Sequence, residues 1–195
     1  MVAPKALLLT PGAGSDRNQS TLLAIEAAVP KLTVERIDFP YRLAGRKAPD
    51  RAPILIECVR RESAALVARA KCKPAALLLG GRSMGGRMCS MAVAEGLAAA
   101  GLVLISYPLH PPGAPEKLRT AHLPMIAVPA LFVHGTRDPF GTPEELTMAT
   151  ATIAGPVTHV WIEGGRHDLK GRDDVVAAAV ATWIRGLGKA QRPPG

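Results

Sequence analysis

Ser83 lies in Gly81-Arg82-Ser83-Met84-Gly85, between the apolar run "AALLLGG" and a stretch with helical patterning. A serine flanked by glycines at a strand-to-helix turn lifts its hydroxyl clear of the backbone, and a Cβ at either glycine would collide where strand and helix close on each other. A hydroxyl is a weak nucleophile until a base takes its proton, and that base needs an acid to orient it and steady its cation. For such a turn the chain order is serine, acid, histidine. Asp138 follows the run "ALFVHG" and His167 follows "THVWIE", each a few residues past the run's end. Asp168 is the other nearby carboxylate, but as the chain neighbour of His167 it is badly placed to reach that ring. The expected chemistry is acyl transfer with Ser83 as nucleophile, His167 as base and Asp138 as orienting acid. The Met84 N–H at the helix start is one expected oxyanion donor. The Ala13 N–H, in Thr10-Pro11-Gly12-Ala13-Gly14 after the first apolar run, is the second. Gly12 and Gly14 allow close approach of a substrate, and His110 in "SYPLHPPG" is a further candidate contact, although a structural role is the default for a loop histidine. His134 and His159, at the end of and within apolar runs, read as structural.

These residues must be held by elements that bring distant segments together. "KALLLT", "LTVERIDF", "AALLLGG", "GLVLIS", "ALFVHG" and "THVWIE" read as strands, several apolar on consecutive residues as in a parallel sheet covered on both faces. Between them, Leu22, Ile25 and Val29 keep helical spacing, as do Leu55, Val59 and Leu66, with Asp50 as expected N-cap and Pro53 in the first turn. "MGGRMCSMAVAEGLAAA" is small and apolar on nearly all sides and reads as a central buried helix. A last helix carries Asp173 and Asp174 in its first turn and is expected to bury Val176, Val180 and Trp183. The fold class is α/β: three α/β/α layers around a doubly wound, mostly parallel six-stranded sheet. Ligands gather beyond the carboxyl ends of such strands, where Ser83, Asp138, His167 and the Gly12 to Gly14 loop all fall.

The 195 residues, 48% of them apolar, fit one domain over 1–188, with 189–195 as a flexible C-terminal tail. No apolar run reaches the roughly 20 residues of a membrane span, and the first residues lack the pattern of a secretory signal. Cys58, Cys72 and Cys89 form no CxxC pair, which gives no support to zinc and suits reduced thiols in the cytoplasm. The net charge of +8 is scattered without aromatic interleaving, so a basic surface is expected rather than a nucleic-acid partner. Arg82 and Arg87 read as surface salt-bridge residues with a slight bias towards anionic substrates.

The elbow "GGRSMGGR", the loop "PGAGS" and the stretches "YPLHPPG" and "HGTRDPFGTPEEL" together resemble the α/β-hydrolase superfamily, within it the small dienelactone-hydrolase-like proteins related to the regulatory subunit of the NSL acetyltransferase complex. The resemblance covers residues 5–184. It implies a minimal α/β-hydrolase fold without a lid domain, the triad Ser83, Asp138 and His167, and Met84 with Ala13 as oxyanion donors. This chain has Pro11-Gly12-Ala13-Gly14 where such relatives carry His-Gly-Ala-Gly, and lacks the superfamily's antiparallel strands at the amino end. The expected function is a carboxylesterase-type serine hydrolase acting on a small soluble ester, with no cofactor or metal, as a monomer or homodimer. One alternative is a hydrolase-like interaction module, against which the intact set of three groups argues. Another is a dinucleotide-binding domain, since "GAGSDR" follows the first strand and Asp38 ends the second. Arg17 breaks that glycine fingerprint. Residues 106–128 are too few for a lid, so the pocket is expected to be open.

Overall fold

Strands whose side chains are apolar on both faces must be covered on both faces, and the leucine-rich runs are the ones that become the centre of the sheet. In this computed structural model, which describes residues 2–189, the strands are β1 (Ala6–Thr10), β2 (Thr33–Arg36), β3 (Leu77–Arg82), β4 (Gly101–Ile105), β5 (Ala130–Gly135) and β6 (Val157–Ile162). They form one six-stranded sheet in the order β2-β1-β3-β4-β5-β6, every neighbouring pair parallel. The sheet is thus wholly rather than mostly parallel. β1, β4 and β5 are buried along their whole length, whereas the edge strands β2 and β6 are partly exposed.

The helices are α1 (Ser20–Ala28), α2 (Pro40–Leu43), α3 (Ala52–Arg69), α4 (Met84–Ala94), α5 (Pro143–Thr150) and α6 (Asp173–Lys189). Alternate strand residues sort into two cores, as the two-residue period of a strand requires. Leu7, Leu9, Val103 and Ile105 pack with Leu22 and Ile25 of α1 and Val176 and Val180 of α6. Leu8, Leu79, Leu102 and Leu104 pack on the other face with Leu55 and Val59 of α3 and Met88 and Cys89 of α4. Each fully buried leucine or valine contributes about 1.5–3 kcal/mol through removal from water.

Several expectations are corrected. β2 ends at Arg36, short of Asp38 and Phe39, and α4 ends at Ala94 before the left-handed Gly96 (φ 94°). α3 is capped by extended Arg51 rather than by Asp50, whose Oδ1 accepts instead from the Arg46 guanidinium at 2.7 Å. Trp183 is only half-buried, against the α1–α6 core. α5 was not foreseen. It starts at a capping box in which the Thr142 side chain accepts from the Glu145 N–H and Glu145 accepts from the Thr142 N–H. Of the expected tail, Lys189 closes α6 and residues 190–195 lie outside the described residues.

The register brings the strand ends into line. Thr10 pairs with Gly81, Arg82 with Ile105, Ile105 with Val133 and Gly135 with Ile162, so the segments after β1, β3, β4, β5 and β6 leave from one rim. The strand order reverses between β1 and β3, the point where a doubly wound sheet opens a crevice at this rim.

Candidate active site

The turn from β3 into α4 holds Ser83 at φ 50° and ψ −118°, a conformation costing a non-glycine residue on the order of 1–3 kcal/mol. The surroundings impose it. The Ser83 N–H donates to the Ile105 carbonyl at 2.8 Å, and the Ser83 carbonyl accepts from the Arg87 N–H at 3.1 Å. A Cβ at Gly81 would overlap Thr10 Oγ1, and one at Gly85 would lie 2.5 Å from the Pro11 carbonyl. The two glycines therefore let the end of β1 press against the turn, as the sequence pattern required.

Ser83 Oγ stands 2.9 Å from His167 Nε2, and His167 Nδ1 stands 2.8 Å and 3.0 Å from Asp138 Oδ2 and Oδ1. A carboxylate only accepts, so Nδ1 carries the proton and Nε2 is left to accept from the serine hydroxyl. The Asp138 carboxylate is fully buried and the His167 side chain is 22% exposed. Asp138 Oδ1 also accepts from the Phe140 N–H at 2.9 Å, and the Phe140 ring stacks on His167 with centroids 4.0 Å apart. The loops after β5 and β6 are locked together where Arg137 N–H donates to Gly165 O at 2.8 Å and a Cβ at Gly135 would strike the Gly165 backbone. Arg82 adds a third tie by donating to the His167 carbonyl at 2.8 Å. Such a line of groups can draw a proton from the hydroxyl and hold the resulting cation.

Behind it lies a group that sequence reasoning left as structural. His134 is fully buried, its Nε2 donates to the Gly141 carbonyl at 2.9 Å, and Asp138 Oδ2 is 3.5 Å from the same nitrogen. Burial pushes the His134 pKa down against the opposing pull of Asp138. His159 is likewise structural, bonded to Thr150 Oγ1 at 2.9 Å and stacked on Trp161.

Among the described residues no acceptor engages the Met84 or Ala13 N–H, and both residues border the cavity beside Ser83. Pro11 offers no side-chain hydrogen bond to steady this loop. Tyr41 supplies one from α2, its hydroxyl donating to the Ala13 carbonyl at 2.7 Å. An aromatic residue thirty positions downstream carries no local signal for that task, and it was missed. The cavity, about 690 Å³, is also bordered by Gly12, Gly14, His167 and Phe140, and among the described residues no lid domain covers it. His110 is not part of it. Its Nδ1 bonds the Pro111 carbonyl at 2.8 Å and its Nε2 faces Glu145 at 3.4 Å, because the capping-box carboxylate draws the ring towards α5. Arg82 and Arg87 also depart from expectation: both border the cavity and neither forms an ion pair among the described residues, since no carboxylate of the rim reaches them.

The Asp38 carboxylate, the candidate ribose contact, accepts from the Arg17 N–H at 2.7 Å. Among the described residues no group of three or more His, Cys, Asp or Glu is placed to hold a metal ion, and no helix is long and apolar enough to cross a membrane.

Solved structures share this architecture. An alpha-beta serine hydrolase homologue from Coxiella burnetii is similar at TM-score 0.75 and 16% identity, over 93% of this chain and 86% of its own. A dienelactone hydrolase from Anabaena variabilis is similar at TM-score 0.75 and 19% identity, over 94% and 87%. The esterase domain of a Rhodothermus marinus protein follows at TM-score 0.71 and 17% identity, over 95% and 88%. At these identities the likeness is one of fold. A sequence model of the alpha/beta hydrolase domain matches residues 3–185, and with nearly the whole chain covered, the protein belongs to the alpha/beta hydrolase family.

Proposed function

We propose that the protein is a serine hydrolase that cleaves a small ester through an acyl-enzyme. The observation that carries this reading is the continuous line from the buried Asp138 carboxylate through His167 to Ser83 Oγ, with contacts of 2.8 and 2.9 Å. Ser83 Oγ attacks the acyl carbonyl while His167 Nε2 takes its proton, so the Oγ–C bond forms as the carbonyl π pair moves to oxygen. The Met84 and Ala13 N–H groups receive that oxyanion. Loss of one such donor costs on the order of 10²- to 10³-fold in turnover. As the tetrahedral intermediate collapses, the ester C–O bond breaks and His167 returns its proton to the leaving alkoxide. Water then repeats the sequence against the acyl-enzyme and releases the acid. Asp138 holds the ring and balances its transient charge.

Treatment with a fluorophosphonate probe, followed by peptide mass spectrometry, tests the assignment. The expected adduct lies on Ser83 and is absent from Ser83→Ala and His167→Ala. No adduct on the folded native protein, or an adduct that survives His167→Ala at full rate, would sink it.

A further inference from the structure

Three guanidinium groups border the cavity beside Ser83: Arg82 and Arg87 from the turn and first turns of α4, and Arg119 from the connection between β4 and β5. No carboxylate among the described residues pairs with any of them. The Nε atoms of Arg82 and Arg87 are buried without an acceptor. Arg82 is partly engaged by the His167 carbonyl and lies in the fields of Asp168, Asp173 and Asp138, whereas Arg119 Nη1 reaches only the Pro108 carbonyl at 3.5 Å. The side chains packed behind Arg87 and Arg119 are uncharged, and Glu95, whose field reaches His122, is paired with Arg60 at 3.1 Å. Ser90 Oγ and Tyr107 Oη lie 2.8 and 3.4 Å from His122 Nε2 in a cluster that is neutral throughout. Burial, with the charge of Arg87 adding to it, pushes His122 down to about 4, and burial pushes Tyr107 up to about 12. Arg119 is itself held low by burial and by repulsion from Arg87.

Half-buried like charges with unmade hydrogen bonds are costly to hold together, and an incoming anion relieves both costs at once. A guanidinium fork matches an oxyanion in two parallel bonds. The geometry points to an oxyanion subsite formed by Arg87 and Arg119, with Arg82 at its rim, and thus to esters that carry a second, anionic oxygen group, a carboxylate or a phosphate, as the substrate class. This rests on the hydrolase reading for its chemistry and on the arginine cluster for its specificity.

The test compares kcat/KM for 4-nitrophenyl hemiglutarate with that for 4-nitrophenyl pentanoate, which replaces the carboxylate by a methyl group. The native protein is expected to favour the anionic ester by on the order of 10-fold or more, less so at high salt. Arg87→Met and Arg119→Met should each lose most of that preference, with Arg87→Lys keeping part of it. Equal rates on the two esters, or a preference that survives both methionine variants, overturns the subsite while the hydrolase reading stands. Thermal shifts with glutarate and with inorganic phosphate, read on native and variant proteins, are independent of turnover and distinguish the two anions. Stabilisation by either that vanishes in the folded Arg119→Met protein supports the subsite. Stabilisation by neither anion overturns it. Cleavage of neither ester together with no fluorophosphonate adduct falsifies the hydrolase reading alone, and the thermal shifts then decide the subsite.

Discussion

Asp138 lies between two imidazoles and bonds one of them. One oxygen faces both His167 Nδ1, at 2.8 Å, and His134 Nε2, at 3.5 Å, and the other is tied to the Phe140 N–H. With the carboxylate wholly buried, its orientation is fixed by the His167 and Phe140 donors and not by water, and so is the tautomer of His167. Asp138→Asn preserves shape but offers Nδ1 an amide that donates as readily as it accepts. On the mechanism proposed, kcat for a 4-nitrophenyl ester should fall by roughly 10⁴-fold with the circular dichroism unchanged. A fall of less than about 10-fold would assign the orienting role to another group. Ser83, Asp138 and His167 were legible in the sequence because each follows a strong strand signal, and a parallel register then brings strand ends together. The cavity arginines were not. A salt bridge is the default for a surface guanidinium, and only the folded rim discloses that no carboxylate arrives.

At the scale of elements, the turn between β3 and α4 is set by contact between backbones. A Cβ on Gly85 would meet the Pro11 carbonyl and Thr10 Oγ1 at 2.5 Å and the Thr10 carbonyl at 2.7 Å, so backbone as well as the short, buried Thr10 side chain would have to shift. Gly85→Ala is expected to lower unfolding free energy by about 1–3 kcal/mol, in line with overpacked cores, measured by urea denaturation. A loss under about 0.5 kcal/mol would mean that the β1 loop yields easily. The strands were legible because long apolar runs have few other places to go. Element ends were less so, and the reasons are local. Asp50 looked like a cap until Arg46, four residues earlier, took its carboxylate. His110, a candidate substrate contact with a structural role as its default, takes the structural role because Glu145 of an unrecognised capping box draws it away. That box, Thr142 followed three residues later by Glu145, was the signal that would have found α5.

For the whole molecule, burial of neutral histidine makes stability depend on pH. His122 titrates near 4 in the fold and near 6.5 when unfolded, so between those values the unfolded chain binds more protons. Stability therefore rises with pH across that window, is complete above about 6.5 and is lost as pH falls towards 4; buried His134, also shifted down, acts in the same direction. Thermal melts from pH 4 to 7 should show a rising Tm, with a shallower slope in His122→Gln, and equal slopes in the two proteins would remove His122 from the account. The bend at Ser83 bears on the same stability in another way. Its backbone angles, φ 50° and ψ −118°, lie in a region that glycine enters freely and serine does not. A glycine there would relieve that strain at the cost of the hydroxyl, so in the serine hydrolase reading the fold gives up stability at this one bend to present its nucleophile.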